Sequence, residues 1–240
     1  MTSTLTVAVL GSCRVYKPIN FLNGCDGVNV GHKGAEWYTH TTSDVLQKID
    51  IVLNKREAPD ALAPLLVHAP GLLNRKLHRP DFYQGADVFI VELSSLRLFP
   101  YQDWFVQQVC YKRAKAQELG EAAFNIAKSI QRTQMTNEVF LAEMDEICTR
   151  LAKPVLFVNH LCVSKDDGQP FLERERIRNL VAQFCANDAR CAAFDPTEVV
   201  NEVGVAEAMT DPHHYAPFFE RKIVGERLLK AARALVNGGA

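Results

Sequence analysis

Four short, continuous apolar runs constrain this chain more than any other feature: Leu5 to Leu10 (LTVAVL), Asp87 to Val91 (DVFIV), Pro154 to Val158 (PVLFV) and, more weakly, Cys191 to Phe194 (CAAF). A strand with one wet face alternates apolar and polar residues; these runs do not alternate, so both faces of each strand have to be covered. Continuous runs of this kind belong to parallel sheets. Between them lie stretches with helical spacing. Ser43 to Leu53 carries Val45, Ile49 and Val52 on one face, and Glu173 to Cys185 carries Ile177, Leu180, Val181 and Phe184. Strands alternating with helices predict an α/β fold built on a doubly wound parallel sheet in three layers. A last helix is expected from near Pro217 through Ile223, Val224, Leu228 and Leu229 to about Val236, ended by Gly238-Gly239. The stretch from about 102 to 152 is longer than a simple crossover, rich in Ala, Glu, Gln and Lys, and broken by Gly120. It predicts a helical insert of two or three helices, either a plain crossover bundle or a cap over the site at the carboxyl end of the second strand.

The 240 residues are 48% hydrophobic and 23% charged, enough for a sizeable core, and no linker-like stretch divides them, so a single domain over 1–240 is expected. Lys plus Arg number 27 against 28 Asp plus Glu, a formal net charge of −1. No basic excess is left to neutralise phosphates, which argues against nucleic acid as a partner. No apolar run approaches the roughly 20 residues needed to span a bilayer. The seven cysteines, Cys13, Cys25, Cys110, Cys148, Cys162, Cys185 and Cys191, form an odd set without C-x-x-C pairs, against both a disulfide framework and a zinc cage. Leu10-Gly11-Ser12-Cys13 looks like a lipoprotein cleavage site, but no Lys or Arg precedes it and the apolar stretch is short, so a cytoplasmic protein is expected. His32, His68 and His78 have no partners at ligand spacing and read as surface residues. His213-His214, adjacent and without a carboxylate-rich motif beside them, do not suggest a metal.

The chemistry concentrates at two places. The first strand runs into Gly11-Ser12-Cys13-Arg14, followed by a short helix with Val15, Ile19 and Leu22 on one face, Pro18 being tolerable only in its first turn. A side chain on such an elbow sits at the sheet's carboxyl edge beside a helix N-terminus, whose free N–H groups favour a thiolate or a developing oxyanion. Cys13 is the candidate nucleophile and Ser12 its rival; Arg14 would favour the thiolate unless its side chain points into solvent. Far along the chain, Asp211-Pro-His213-His214 sets a carboxylate three residues from an imidazole, close enough to orient the ring as a general base.

A strand ending in Gly-x-nucleophile, with Asp-x-x-His shortly before the last helix, resembles the SGNH or GDSL hydrolase superfamily. The Gly-Ser-Cys form is also similar to the GSCFA-type subgroup and to bacterial proteins of polysaccharide and capsule biosynthesis. The resemblance implies a flavodoxin-like, SGNH-like sheet, with Cys13 in the nucleophile position, His214 as base and Asp211 as its orienter. The superfamily's Gly-x-Asn-Asp block falls on Ser94-Ser95-Leu96-Arg97, so the oxyanion-binding Asn is missing. Its replacements would be the N–H groups of Cys13 and Arg14 with the hydroxyl or N–H of Ser94 or Ser95; otherwise activity has been lost. Asn159-His160, at the end of the third run, and His40, in the loop before the first long helix with Thr42 or Ser43 as its N-cap, are further substrate contacts. Lys17, Arg14 and Arg97 are candidates for an anionic group or a phosphate. The implied activity is acyl-group hydrolysis or transfer through an acyl-enzyme, on O-acyl groups of a glycan or on an acyl thioester. No cofactor is required, and acetyl-coenzyme A or another acyl-coenzyme A would be the donor. The alternative is a noncatalytic ligand-binding protein of polysaccharide biosynthesis that has kept the pocket.

Overall fold

In a computed structural model, which describes residues 4–25, 27–30, 38–67, 83–163, 171–211 and 214–238, the four apolar runs lie in one parallel sheet. Its strands are β1 (Leu5–Leu10), β2 (Val28–Val30), β3 (Val88–Leu93), β4 (Val155–Asn159) and β5 (Cys191–Phe194), in the order β2-β1-β3-β4-β5. Strand β2 was not legible, because three residues at a sheet edge carry too little pattern. His32, His68, His78, His213 and Gly239 lie outside the described residues. The registers Val7↔Val88, Phe89↔Val155 and Val155↔Cys191 keep every pair parallel, as in a flavodoxin-like doubly wound sheet.

Alternation along each strand sends neighbouring side chains into different layers. Val7, Val88 and Ile90 pack with Ile19 and Leu228 on one face, while Ala8, Phe89 and Val91 pack with Ile49 and Phe140 on the other. The first face is covered by α1 (Cys13–Asn20) and by the last helix, the second by α2 (Thr42–Val52). The insert contains three helices, α3 (Gln108–Lys115), α4 (Glu121–Ser129) and α5 (Asn137–Leu151), and they divide between two roles. Helix α5 carries a Phe140, Met144, Ile147 stripe and joins α2 and α6 (Leu172–Cys185) on the sheet. Helices α3 and α4 instead form a smaller core with Leu65, Trp104 and Val106.

Two local expectations need correction. Helix α2 is capped by Thr41, not Thr42 or Ser43, because Thr41 and Asp44 close a reciprocal capping box; Ser43 and Thr42 bond Glu143 of α5 instead. In α1, Pro18 occupies the second turn and not the first, so the bond a backbone N–H would make there to Arg14 is missing. The last helix packs closely against the same turn. The carbonyl oxygen of Pro18 lies 2.6 Å from where a Cβ on Gly225 would stand, so only glycine lets the last helix approach α1 this closely. Gly225 opens the last helix, α7 (Gly225–Val236), directly after a π-helical turn over Glu220–Val224 that takes up the extra residue at the contact. The sheet order reverses between β1 and β3, so a crevice opens beyond their carboxyl ends, flanked by the elbow of α1 and the loop after β3.

Candidate functional site

The elbow is built on a close backbone approach. A Cβ on Gly11 would come within 2.8 Å of the Glu92 Cβ, which is why a glycine ends β1. Ser12 is buried as the N-cap of α1: its N–H donates to Glu92 Oε2 at 2.7 Å, and its hydroxyl oxygen accepts the Arg14 N–H at 3.3 Å. Cys13 is the first helical residue and is half-buried. The Arg14 side chain turns inward and not to solvent, its Nε donating to Glu92 Oε1 at 3.0 Å. Burial works against both charges, yet the pair prevails. The Arg14 guanidinium and the Ser12 hydrogen bonds hold the Glu92 carboxyl below the usual carboxylate range, and Glu92 raises Arg14 in return. Glu92 is the functional-site residue that sequence reasoning missed. Its signal was a carboxylate inside the run VFIVEL, on a strand whose six residues are all buried.

Opposite the elbow, His40 organises the loop after β3. Its carbonyl oxygen accepts the N–H groups of Ser94 at 2.9 Å and Ser95 at 3.0 Å, which takes both out of reach of a substrate oxygen. Its Nδ1 lies 2.9 Å from Ser94 Oγ. Burial, reinforced by Arg14 and Lys112 against the pull of Glu92, lowers the His40 pKa to about 4, so the imidazole is neutral at pH 7. Its Nε2 is buried without a hydrogen-bond partner among the described residues. A bare N–H is the rarer orphan, which favours the tautomer with the proton on Nδ1; His40 then donates to Ser94 and leaves the Ser94 hydroxyl proton for another acceptor. Ser95 is committed elsewhere, donating to Glu173 Oε1 at 3.1 Å and accepting from the Arg97 N–H at 3.0 Å.

The terminal pair is local. Met209–Asp211 and His214–Tyr215 form a short antiparallel ladder, and His214 Nδ1 lies 2.8 Å from Asp211 Oδ2 and 3.0 Å from Oδ1, in the open. The buried Tyr215 fixes this ladder beside the elbow, within electrostatic reach of Arg14 and Glu92, and burial raises its hydroxyl pKa.

Arg14, His40, Ser94, Ser95, His160 and His214 all line one cavity of about 850 Å³, within the range of small-molecule sites. Cys13 directly precedes Arg14 in the elbow and is not itself among the residues that line this cavity. Ser12 is buried at the elbow, and Asn159 is buried at the end of β4 with its Oδ1 unpartnered among the described residues. Lys17 faces Glu220 of the π turn. Among the described residues no group of three or more His, Cys, Asp or Glu is placed to hold a metal, and no helix is long and apolar enough to cross a membrane.

A doubly wound α/β domain with a polar, histidine-rich cavity at its switch point is the class that this fold and site define. By sequence the chain belongs to the TviD N-terminal domain family, which matches residues 5–125 and 110–231. Among curated proteins it is similar to the Vi polysaccharide biosynthesis protein TviD of Salmonella typhi, with 22% identity over 259 aligned residues covering 91% of this chain and 30% of that protein. The chain therefore spans under a third of that relative's length. No solved structure matches it.

Proposed function

We propose that this chain is an SGNH-like acyl hydrolase or acyltransferase of polysaccharide biosynthesis, with Cys13 as nucleophile, His214 as general base and Asp211 as its orienter. The observation that supports this reading is the shared cavity: Arg14, the neighbour of Cys13 in the elbow, lines the same cavity as His214, whose Nδ1 is engaged by Asp211 and whose Nε2 is left for proton transfer. The family relationship supports the biosynthetic setting, since the TviD relative is a Vi polysaccharide biosynthesis protein.

In this reading the Cys13 sulfur attacks the carbonyl carbon of an ester or thioester while its proton passes to His214 Nε2. The oxyanion is received by the Cys13 N–H, which has no partner among the described residues, and by the Ser94 hydroxyl that His40 orients. This pair stands in for the missing Asn, because the requirement is preorganised donors and not a residue type. The tetrahedral adduct collapses as His214 protonates the departing alcohol or thiol. Water or a sugar hydroxyl, deprotonated by His214, then attacks the acyl-enzyme and frees the thiol. With a glycan O-acyl group as substrate the outcome is hydrolysis; with an acyl-coenzyme A donor and a sugar acceptor it is transfer.

The test is intact mass after exposure to an activated acetyl ester or acetyl-coenzyme A. One acetyl group is expected on the wild-type chain, mapped to Cys13 and absent from Cys13→Ala. Acylation that persists in Cys13→Ala and disappears in Ser12→Ala reassigns the nucleophile. No acylation of either, with ligand binding intact, favours the noncatalytic alternative.

A further inference from the structure

Part of the cavity lining is cationic. Arg97 follows β3, Lys112 projects from α3 and Arg174 from α6, and these three distant segments bring their charges to one wall already bordered by Arg14. Glu173 is the one carboxylate among the described residues of that wall, and it is fully engaged. Its Oε1 accepts from the Ser95 hydroxyl and the Leu96 N–H, and its Oε2 pairs with Arg97 at 2.7 Å. Arg174 is held in place over the Phe171 ring at 4.1 Å and by a 2.8 Å bond to the Leu161 carbonyl. Lys112 is exposed and has no carboxylate partner among the described residues. The first turn of α3, Gln108 and Val109, belongs to the same wall, so the positive end of that helix adds to the field.

Burial, with a smaller push from Arg14, lowers the Arg174 pKa to about 10, so its charge is held there at a cost. A bound anion relieves it. A lone carboxylate brings one negative charge, whereas a phosphate or diphosphate brings more charge and several acceptor oxygens, and it suits a wall where a lysine and two arginines outnumber the one carboxylate, Glu173, beside a helix end.

We infer that the Arg97, Lys112 and Arg174 wall is a subsite for the phosphate groups of the acyl donor, a phosphorylated thioester of the coenzyme A type. The inference rests on the acyl-transfer reading above and names the donor's handle. Bound there, the phosphates anchor the far end of the donor while its thioester reaches toward Cys13.

Binding separates this from catalysis. Calorimetry on the full chain uses coenzyme A, pantetheine as the same arm without phosphates, inorganic pyrophosphate, and a uronic-acid oligosaccharide. Coenzyme A is expected to bind at least about tenfold more tightly than pantetheine, with an affinity that falls as salt rises, and pyrophosphate is expected to compete. Lys112→Gln should weaken coenzyme A about five- to tenfold and leave both pantetheine binding and the melting temperature unchanged. Equal binding of coenzyme A and pantetheine, no effect of Lys112→Gln, or Lys112-dependent binding of the uronic-acid oligosaccharide in place of coenzyme A overturns the inference. Cys13→Ala should keep its affinity for coenzyme A. Phosphate-dependent binding without acylation of Cys13 supports the subsite and removes the acyl-enzyme, whereas acylation by simple esters with no phosphate-dependent binding does the reverse.

Discussion

Replacing Glu92 by Gln removes one charge from beneath the elbow at nearly constant shape. Glu92 is 1% exposed and the Arg14 side chain 12%, so neither end of the 3.0 Å pair has much water to fall back on. Deleting one partner of a buried ion pair typically costs about 3–5 kcal/mol, because the other charge is left uncompensated. The introduced amide retains one oxygen for the Ser12 N–H or for Arg14, and the slight exposure of Arg14 softens the penalty, which places the expected loss near the lower end, about 3 kcal/mol. That is a large fraction of the roughly 5–15 kcal/mol that holds a typical domain together. The assay is urea unfolding at pH 7 followed by far-UV circular dichroism, with Arg14→Met and the double variant completing a thermodynamic cycle. The double variant should be less destabilised than the sum of the single changes by at least about 2 kcal/mol, since it leaves no orphaned charge. The pH dependence carries its own sign. The folded pKa of Glu92 is depressed, so its contribution is present above the unfolded value, about 4.3, and is lost as pH falls through the folded value. The gap between wild type and Glu92→Gln should therefore narrow on acidification below about pH 4.3. A loss under about 1 kcal/mol at pH 7, additive single changes, or a gap that widens in acid would refute the view that this pair anchors the elbow.

Three other outcomes are expected. Gly225→Ala drives a Cβ against the Pro18 carbonyl and should lower stability by about 1–2 kcal/mol despite alanine's better helix propensity, read as a fall in melting temperature; an unchanged value would mean that α1 and the last helix are not locked there. His40, with a pKa near 4 when folded and about 6.5 when unfolded, binds fewer protons in the folded state, so stability should fall by up to about 3 kcal/mol as pH drops from 6.5 to 4, and urea midpoints should show that slope disappear in His40→Gln. Under limiting iodoacetamide, Cys13 and the exposed Cys25 should label before the buried Cys110, Cys148 and Cys191, and only the labelling of Cys13 should slow in His214→Ala; equal slowing in His213→Ala would assign the base to the wrong histidine.

Apolar periodicity by itself determined the layers. Runs such as LTVAVL have no polar face to offer water, so β1, β3 and β4 had to lie inside, and stripes such as Val45–Ile49 had to cover them. The elbow and the Asp211–His214 contact were legible for a related reason: both depend on neighbours one to three residues apart, where chain geometry leaves little choice. The small edge strand β2 and the division of the insert between sheet cover and cavity wall were not legible, since each is decided by what packs against the segment. The same holds for the polar contacts that make the cavity specific. Arg14 reaches Glu92 across 78 residues and His40 reaches Ser94 across 54, and Lys112 shares a wall with Arg174 only because α3 and α6 border the same crevice. No local pattern records such pairs; whether a charge meets a partner, a like charge or water depends on the distances and burial that tertiary packing sets.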